Sequence, residues 1–337
     1  MLRKAIALLS GGLDSALAAR LILDQDIDVV GIRFLTDFGC GTEDTGCGHD
    51  TSGLAKSLGI QIKLCHMGLP YAQMVRNPKH GWGKNMNPCV DCRIMMLKWA
   101  KEYMEIDGAG FIVTGEVLGQ RPMSQRRQTL KLIDTEAGLK GLVLRPLSAK
   151  LLEPTKPEIQ GIVERGKLLD IHGRSRRRQY ELAAKYRLQG FGQPAGGCLL
   201  TDPTYSKRLR DLFIHTQEPL VTQINLLRVG RHFRFNHGCK IIVGRNKAEN
   251  KTIESLAQHG DYLLELKDYM GPTTLVCGTN VTKEAIQFAV NLTCRYGDVP
   301  EYGDVVIKRL IKPGIFAEFS LLGFKIPDDV ISAYRIG

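Results

Sequence analysis

Ala5-Ile6-Ala7-Leu8-Leu9-Ser10-Gly11-Gly12-Leu13-Asp14-Ser15 is the stretch that decides the fold. A short, wholly apolar run passes directly into two glycines and then into an amphipathic segment, which predicts a buried strand over Ala5–Leu9 and a helix over Asp14–Leu23. The two glycines let backbone approach an anion closely. The hydroxyls of Ser10 and Ser15 can donate to its oxygens, and the helix N-terminus adds N–H groups and a favourable dipole. Asp14 cannot bind a phosphate directly, so its natural task there is to hold Mg²⁺.

Outward from this turn, residues 4–146 alternate apolar runs with amphipathic ones. Strands are expected at Val29–Phe34, Ile60–Cys65 and Phe111–Thr114, and helices at Thr51–Leu58 and Cys92–Met104. Such β-α-β text predicts an α/β fold with a doubly wound parallel sheet and a ligand at the carboxyl ends of its strands. The first domain is placed at residues 1–150. Residues 151–203 read as a helical connector, in which Pro154 and Pro157 bracket one helix start and Ser175–Leu188 forms a basic helix. It closes in the glycine-rich stretch ending at Cys198. From residue 204 to 337 the pattern changes to helix Tyr205–His215 and strands His232–Phe235, Lys240–Val243, Tyr262–Leu266 and Thr274–Cys277, a second α+β domain. The text after Asn291 is the least legible.

Composition narrows the function. No segment approaches the roughly 18 uninterrupted apolar residues of a membrane span, so a cytoplasmic protein with no membrane partner is expected. The 46 Lys and Arg against 35 Asp and Glu give a formal charge of +11 and favour a polyanionic partner. The candidate RNA-contacting cations are Arg174, Arg176, Arg177 and Arg178, then Arg231, Arg234 and Arg245 with Asn246. Nine cysteines, an odd number, argue for metal or redox chemistry at any clustered pair and for plain core packing elsewhere.

That pair is Cys89-Val90-Asp91-Cys92. Two thiolates three positions apart at a helix start can grip a metal, form a redox pair, or ligate part of an iron–sulfur cluster. No second such pair exists for a zinc knuckle, and Cys198 is the candidate third ligand. The bland alternative is two buried thiols and an unrelated third. Cys40, Cys47 and His49 form a competing group whose glycine-rich context reads better as a flexible loop near the nucleotide.

The full Ser10-Gly11-Gly12-Leu13-Asp14-Ser15 string resembles the PP-loop ATP-pyrophosphatases, which split ATP into AMP and pyrophosphate. Cys89-Val90-Asp91-Cys92-Arg93-Ile94-Met95-Met96, Val113-Thr114-Gly115-Glu116-Val117-Leu118-Gly119-Gln120, Ser124-Gln125 and Arg145-Pro146-Leu147 together resemble the tRNA 4-thiouridine synthetases with a CxxC, over roughly residues 4–165. The resemblance implies ATP binding by Ser10, Gly11, Gly12, Asp14 and Ser15, nucleotide-side roles for Gly115 and Gln120, and adenylation of a uridine oxygen in tRNA before sulfur enters. The related 2-thiouridine synthetases imply a [4Fe-4S] cluster on Cys89, Cys92 and Cys198, with catalysis by these cysteines and Asp14. Arg231–Asn250 resembles the RNA-binding domain of NFACT proteins.

The text departs from the 4-thiouridine family in showing no rhodanese-type segment and in carrying its basic half last. Sulfide or a persulfide-carrying protein is therefore the expected sulfur donor, and a homodimer could present RNA across subunits. A 2-thiouridine synthetase acting at the wobble base, a small-molecule PP-loop enzyme, and a non-catalytic RNA-binding protein with a nucleotide fold remain as alternatives.

Overall fold

The computed structural model describes residues 3–39, 52–192, 198–312 and 314–337. The chain divides into two compact units, Met1–Thr201 and Asp202–Gly337.

The first unit runs β1 Lys4–Leu8, α1 Leu13–Leu23, β2 Asp28–Leu35, α2 Ser52–Leu58, β3 Ile62–His66, α3 Gly68–Arg76, α4 Cys89–Ile106, β4 Phe111–Thr114, α5 Arg127–Glu136, β5 Val143–Leu144, α6 Lys156–Ile159 and α7 Arg177–Lys185. Its five strands stand in the order β3-β2-β1-β4-β5 and every pairing is parallel. Strand β1 is buried on both faces. Ala5 and Ala7 point into a core built with α1, α2 and α7, whereas Ile6 and Leu8 point into one built with Ile94, Leu97, Ala100 and Met104 of α4 and Ile133 of α5. The period-two alternation of one strand thus feeds two cores, and the expected doubly wound sheet follows from it. The strand order reverses between β1 and β4, so the loops leaving those two strands flank the crevice where such sheets bind ligands.

The second unit runs α8 Pro203–His215, α9 Val221–Leu226, β6 Arg231–Asn236, β7 Cys239–Val243, α10 Lys247–Leu256, β8 Tyr262–Leu266, β9 Thr274–Gly278, α11 Lys283–Arg295, β10 Tyr302–Lys312, β11 Ile315–Phe324, α12 Asp328–Ser332 and β12 Arg335–Ile336. Its sheet, ordered β11-β10-β8-β9-β7-β6-β12, is antiparallel throughout. Helix α11 packs Ala285, Phe288, Ala289 and Leu292 onto Phe233, Ile241, Val276 and Val305 on one face. The neighbouring Ile242 turns to the other face, with Leu263 and Leu275, to meet Leu226 of α9 and Ile253 of α10.

Local chemistry moves several boundaries. Pro88 is the N-cap of α4, which begins at Cys89 rather than Cys92, so both cysteines lie in its first turn. Helix α7 is shorter than Ser175–Leu188, because Arg176 lies outside helical geometry and Arg187 turns left-handed at φ 49°. Asp202 accepts from the Tyr205 backbone N–H at 2.7 Å, so α8 starts at Pro203. The long hairpin of β10 and β11 falls in the text that was least legible. Among the described residues no helix is long and apolar enough to cross a membrane.

Phe111 is fully buried on β4, paired with Ala5 of the central strand β1. Phe111→Ala is expected to cost about 3–5 kcal/mol of stability, read as a lowered urea midpoint for the transition of the first unit.

Candidate functional site

The loop between β1 and α1 is held open by its own hydrogen bonds. Ser15 Oγ donates to the Gly12 carbonyl at 2.8 Å and accepts from the Ser10 N–H at 3.2 Å, and the two serine hydroxyls are 3.3 Å apart. Gly11 has φ +78°, a left-handed conformation that glycine alone adopts cheaply. Gly12 is the N-cap of α1 and offers no side chain to occupy the first-turn N–H groups. Behind Gly11 lies a side chain that the sequence reading passed over: the guanidinium of Arg33, buried on β2, has its Nη1 3.3 Å from where a Gly11 Cβ would stand. A charged residue inside the apolar run Val29–Phe34 was the available signal.

The loop after β4 closes the other wall. A Cβ on Gly115 would meet Ser15 Cα at 2.5 Å and the Asp14 carbonyl carbon at 2.6 Å, so only glycine lets the two loops nest. Gln120 Nε2 donates to Asp14 Oδ2 at 2.8 Å, while Asp14 Oδ1 and Gln120 Oε1 are buried with no hydrogen-bond partner among the described residues. A carboxylate oriented through one oxygen, with the other desolvated and unanswered, suits a hard cation. The connector returns to this place as well. The Gly192 N–H donates to the Gly11 carbonyl at 2.8 Å, and the Arg176 guanidinium reaches within 3.9 Å of Asp14 Oδ2.

The thiols gather at a second centre in the same unit. Tyr71 on α3 donates its hydroxyl to Cys92 Sγ at 3.2 Å. Burial first, and then the nearby thiols of Cys92, Cys198 and Cys89, push the Tyr71 phenol well above its ordinary value, so all three cysteines lie within electrostatic reach of one hydroxyl. Cys198 Sγ donates to the Phe38 carbonyl at 3.3 Å, and the Phe38 ring sits 5.8 Å from the Tyr71 ring. Leu200 and Thr201 fasten this segment by accepting from Met86 N at 3.0 Å and Asn85 Nδ2 at 2.7 Å. Burial raises the Cys92 thiol, partly offset by Arg93 and by the Tyr71 hydrogen bond. Among the described residues, no three His, Cys, Asp or Glu side chains close on a single-ion site. Cys40, Cys47 and His49 lie outside the described residues.

A buried ionic chain joins the two centres. Glu116, directly after Gly115, accepts from Arg145 Nε at 3.0 Å and from Thr114 Oγ1 at 3.2 Å, and pairs with Arg93 Nε at 3.5 Å. Arg145 in turn forks onto Asp134 at 2.9 and 2.7 Å. Burial alone would raise the Glu116 carboxyl; Arg145 and Arg93 outweigh it and hold the group below its usual range. Arg93 immediately follows Cys92, so one carboxylate ties the nucleotide-side loop to the cysteine helix.

The candidate RNA-contacting residues divide. Arg174 is exposed, Arg177 pairs with Glu181 at 3.0 Å within its own helix, and Arg178 pairs with Asp170 at 2.8 Å. In the second unit Arg234 forks onto Asp211 at 3.0 and 2.6 Å. Arg231 lies 4.4 Å over the Tyr296 ring and donates to the Gly244 carbonyl at 3.3 Å. Arg245 and Asn246 are exposed, although Arg245 also reaches the Gly230 carbonyl at 2.7 Å and Asn246 caps α10 by accepting from Glu249 N at 3.0 Å.

Two outcomes follow from this geometry. Gly115→Ala should force the first turn of α1 aside and weaken the ATP binding expected from the sequence at least about tenfold, measured by calorimetric titration. Cys92 reacts only as thiolate, and burial pushes its thiol above the ordinary cysteine range. Its alkylation by iodoacetamide should therefore be slow at neutral pH and still be accelerating at pH 9, as followed by mass spectrometry of the labelled peptide.

Residues 2–160 match the family model described as Thiamine biosynthesis protein (ThiI), and residues 230–319 match that of the NFACT protein RNA binding domain. A probable tRNA sulfurtransferase of Thermococcus kodakarensis is 28% identical over 171 residues, covering 48% of this chain and 40% of the relative. Another, from Methanothermobacter thermautotrophicus, is 30% identical over 171 residues, covering 50% and 41%. A tRNA-specific 2-thiouridylase MnmA of a Bradyrhizobium species is 28% identical over 196 residues, covering 49% and 46%. The chain thus spans less than half the length of these relatives. Its first half is thus similar to the ThiI family and its second half carries a stretch similar to the NFACT RNA-binding domain.

Proposed function

We propose that this chain is a tRNA sulfurtransferase that activates a uridine carbonyl with ATP and replaces its oxygen by sulfur, forming 4-thiouridine. The observation that carries the reading is the coexistence, in one unit, of an anion cradle with a buried unanswered carboxylate oxygen and of three cysteines around Tyr71. The tRNA sulfurtransferases among its relatives support the reaction class.

Ser10, Gly11, Gly12 and Ser15 would bind the ATP phosphates through hydroxyls and first-turn N–H groups. Asp14 Oδ1 would hold Mg²⁺ while Gln120 fixes Oδ2. The uridine carbonyl oxygen attacks the α-phosphorus, the bond to the bridging oxygen breaks, and pyrophosphate carries the charge away. Donors and metal fixed in advance lower the cost of that charge. Hydrosulfide then attacks the activated ring carbon, the carbon–oxygen bond breaks, AMP leaves and the S–H proton is lost.

Cys89, Cys92 and Cys198 would hold a [4Fe-4S] cluster, which when bound offers an iron without a protein ligand to a sulfide. The donor set is three thiols brought near one buried tyrosine, the soft sulfur ligands that iron–sulfur clusters take. Tyr71 favours the Cys92 thiolate by donating to it, and Arg93 adds positive charge beside it. Exposed Arg174, Arg177, Arg245 and Asn246 would contact tRNA, the last two within the NFACT-type domain.

A second reading, 2-thiouridine at the wobble base, draws on the 2-thiouridylase relatives. Nucleoside mass spectrometry of tRNA treated anaerobically with ATP, Mg²⁺ and sulfide separates the two products. The expected result is 4-thiouridine with stoichiometric pyrophosphate. Asp14→Asn should lose both, and Cys198→Ala should keep pyrophosphate release while losing the thionucleoside. ATP turnover with no thionucleoside from the wild type overturns the reading; 2-thiouridine selects the second.

A further inference from the structure

We propose that Arg176 is a phosphate-binding residue of the nucleotide site, set apart from the RNA-facing arginines beside it; the inference rests on the ATP-binding reading above. Four arginines crowd residues 174–178, and sequence gives no reason to separate them. The structure does. Arg177 is 87% exposed and pairs with Glu181 one turn along, and Arg178 pairs with Asp170 at the surface. The Arg176 side chain is 29% exposed and points inward, with its guanidinium 3.9 Å from Asp14 Oδ2.

Its position is fixed from both ends. Ahead of it, the Gly173 N–H donates to the Leu118 carbonyl at 2.8 Å. Ser148 Oγ accepts from Leu118 N at 2.9 Å and donates to the Ile171 carbonyl at 2.6 Å. The residues leading to Arg176 are thereby strapped to the loop that also carries Gly115 and Gln120. Behind it, Ala183 of α7 and Leu188 pack into the core shared with α1, and the Gly192 N–H donates to the Gly11 carbonyl. An arginine presented by so braced a segment loses little further freedom when it engages a ligand.

Asp14 does not by itself account for the arrangement. Its Oδ2 already accepts from Gln120 at 2.8 Å, and 3.9 Å is the far limit of an ion pair. With a divalent cation on Asp14, the guanidinium loses its attraction to the carboxylate, and the anion left within its reach is the polyphosphate. A planar fork of donors suits phosphate oxygens. The Arg33 guanidinium lies behind Gly11, so two guanidinium groups from distant parts of the chain stand near this loop.

The test compares the full-length wild type with Arg176→Ala, Arg176→Lys and, as a control, Arg177→Ala. Calorimetry would use Mg²⁺ with α,β-methylene-ATP, inorganic pyrophosphate and AMP, and tRNA affinity would be followed against salt. Arg176→Ala is expected to weaken the first two ligands by roughly tenfold to a hundredfold, the weight of a charge-assisted hydrogen bond, with AMP changed less than about twofold. Arg176→Lys should recover part of the loss, which a misfolded site would not. The slope of log affinity for tRNA against log salt should stay at the wild-type value. Unchanged analogue and pyrophosphate binding, or a slope shallower by about 0.7–0.9, the mark of one lost phosphate contact, would overturn the assignment. If the wild type itself binds neither α,β-methylene-ATP nor pyrophosphate, the nucleotide reading fails and takes this one with it, an outcome distinct from a failure confined to the variant.

Discussion

The backbone of Gly115 rests against the backbone of Asp14 and Ser15, and the rest of the first unit is arranged around that contact. Because β1 and β4 are parallel, hydrogen-bonded neighbours, the loops leaving their carboxyl ends are forced into one small space. They nest only where one of them lacks a side chain. Nesting then buries the next residue, Glu116, and a carboxylate taken out of water requires cations. Arg145 supplies one and brings Asp134 with it; Arg93 supplies the other and belongs to the helix that opens with Cys89 and Cys92. A steric condition at one glycine thereby fixes the thiol-bearing helix relative to the loop between β1 and α1.

The second unit uses charge differently from what its composition suggests. Asp211 neutralises Arg234 and Lys240 together, at 2.6 and 3.1 Å, and Lys240 is almost fully covered. Arg208, also buried, spends its guanidinium on the carbonyls of Leu227 and Gly230 at 2.9 Å each. Burial first and the neighbouring Arg245 second bring its titration down to about 10. Several cations counted in the formal +11 therefore hold α8 and the first hairpin together. The basic groups left outward, such as Arg245, sit at the start of α10, where Gly244 must lack a side chain because Asn250 packs over it.

What sequence could tell depended on how local the signal was. The turn from β1 into α1 was legible because its apolar run, glycines and hydroxyls are contiguous and each has one physical use. The central strands were legible because burial on both faces leaves a mostly apolar run, broken in β2 by Arg33. Helix α5 was not: it is short and polar, and only Leu130 and Ile133 are buried. Strand β11 was missed for a related reason. Along β11 almost every side chain is exposed, so the alternation that marks a strand against a core is missing from its text. The partnership of Glu116 with Arg145 and Arg93, and the gathering of Cys198 with Tyr71, join residues far apart in the chain, and no spacing rule reaches across such distances. Arg176 shows the converse hazard, since a run of like residues invites one role for all of them.

The cysteines divide by the same physics. Cys239 and Cys294 in the second unit are buried, and Cys277 is largely enclosed. Desolvation pushes the Cys239 thiol up to about 11 and that of Cys277 up to about 12, so at neutral pH both remain thiols and behave as small apolar residues. Cys89 and Cys92 meet other conditions. They lie in the first turn of an eighteen-residue helix, whose N-terminal N–H groups and dipole favour negative charge, with Arg93 and the Tyr71 hydroxyl alongside. Burial still lifts Cys92, so what distinguishes this pair from the core thiols is a set of groups already aimed at the charged form. Cys198, brought in by a segment anchored to Met86 and Asn85, comes to that same environment from the far end of the unit.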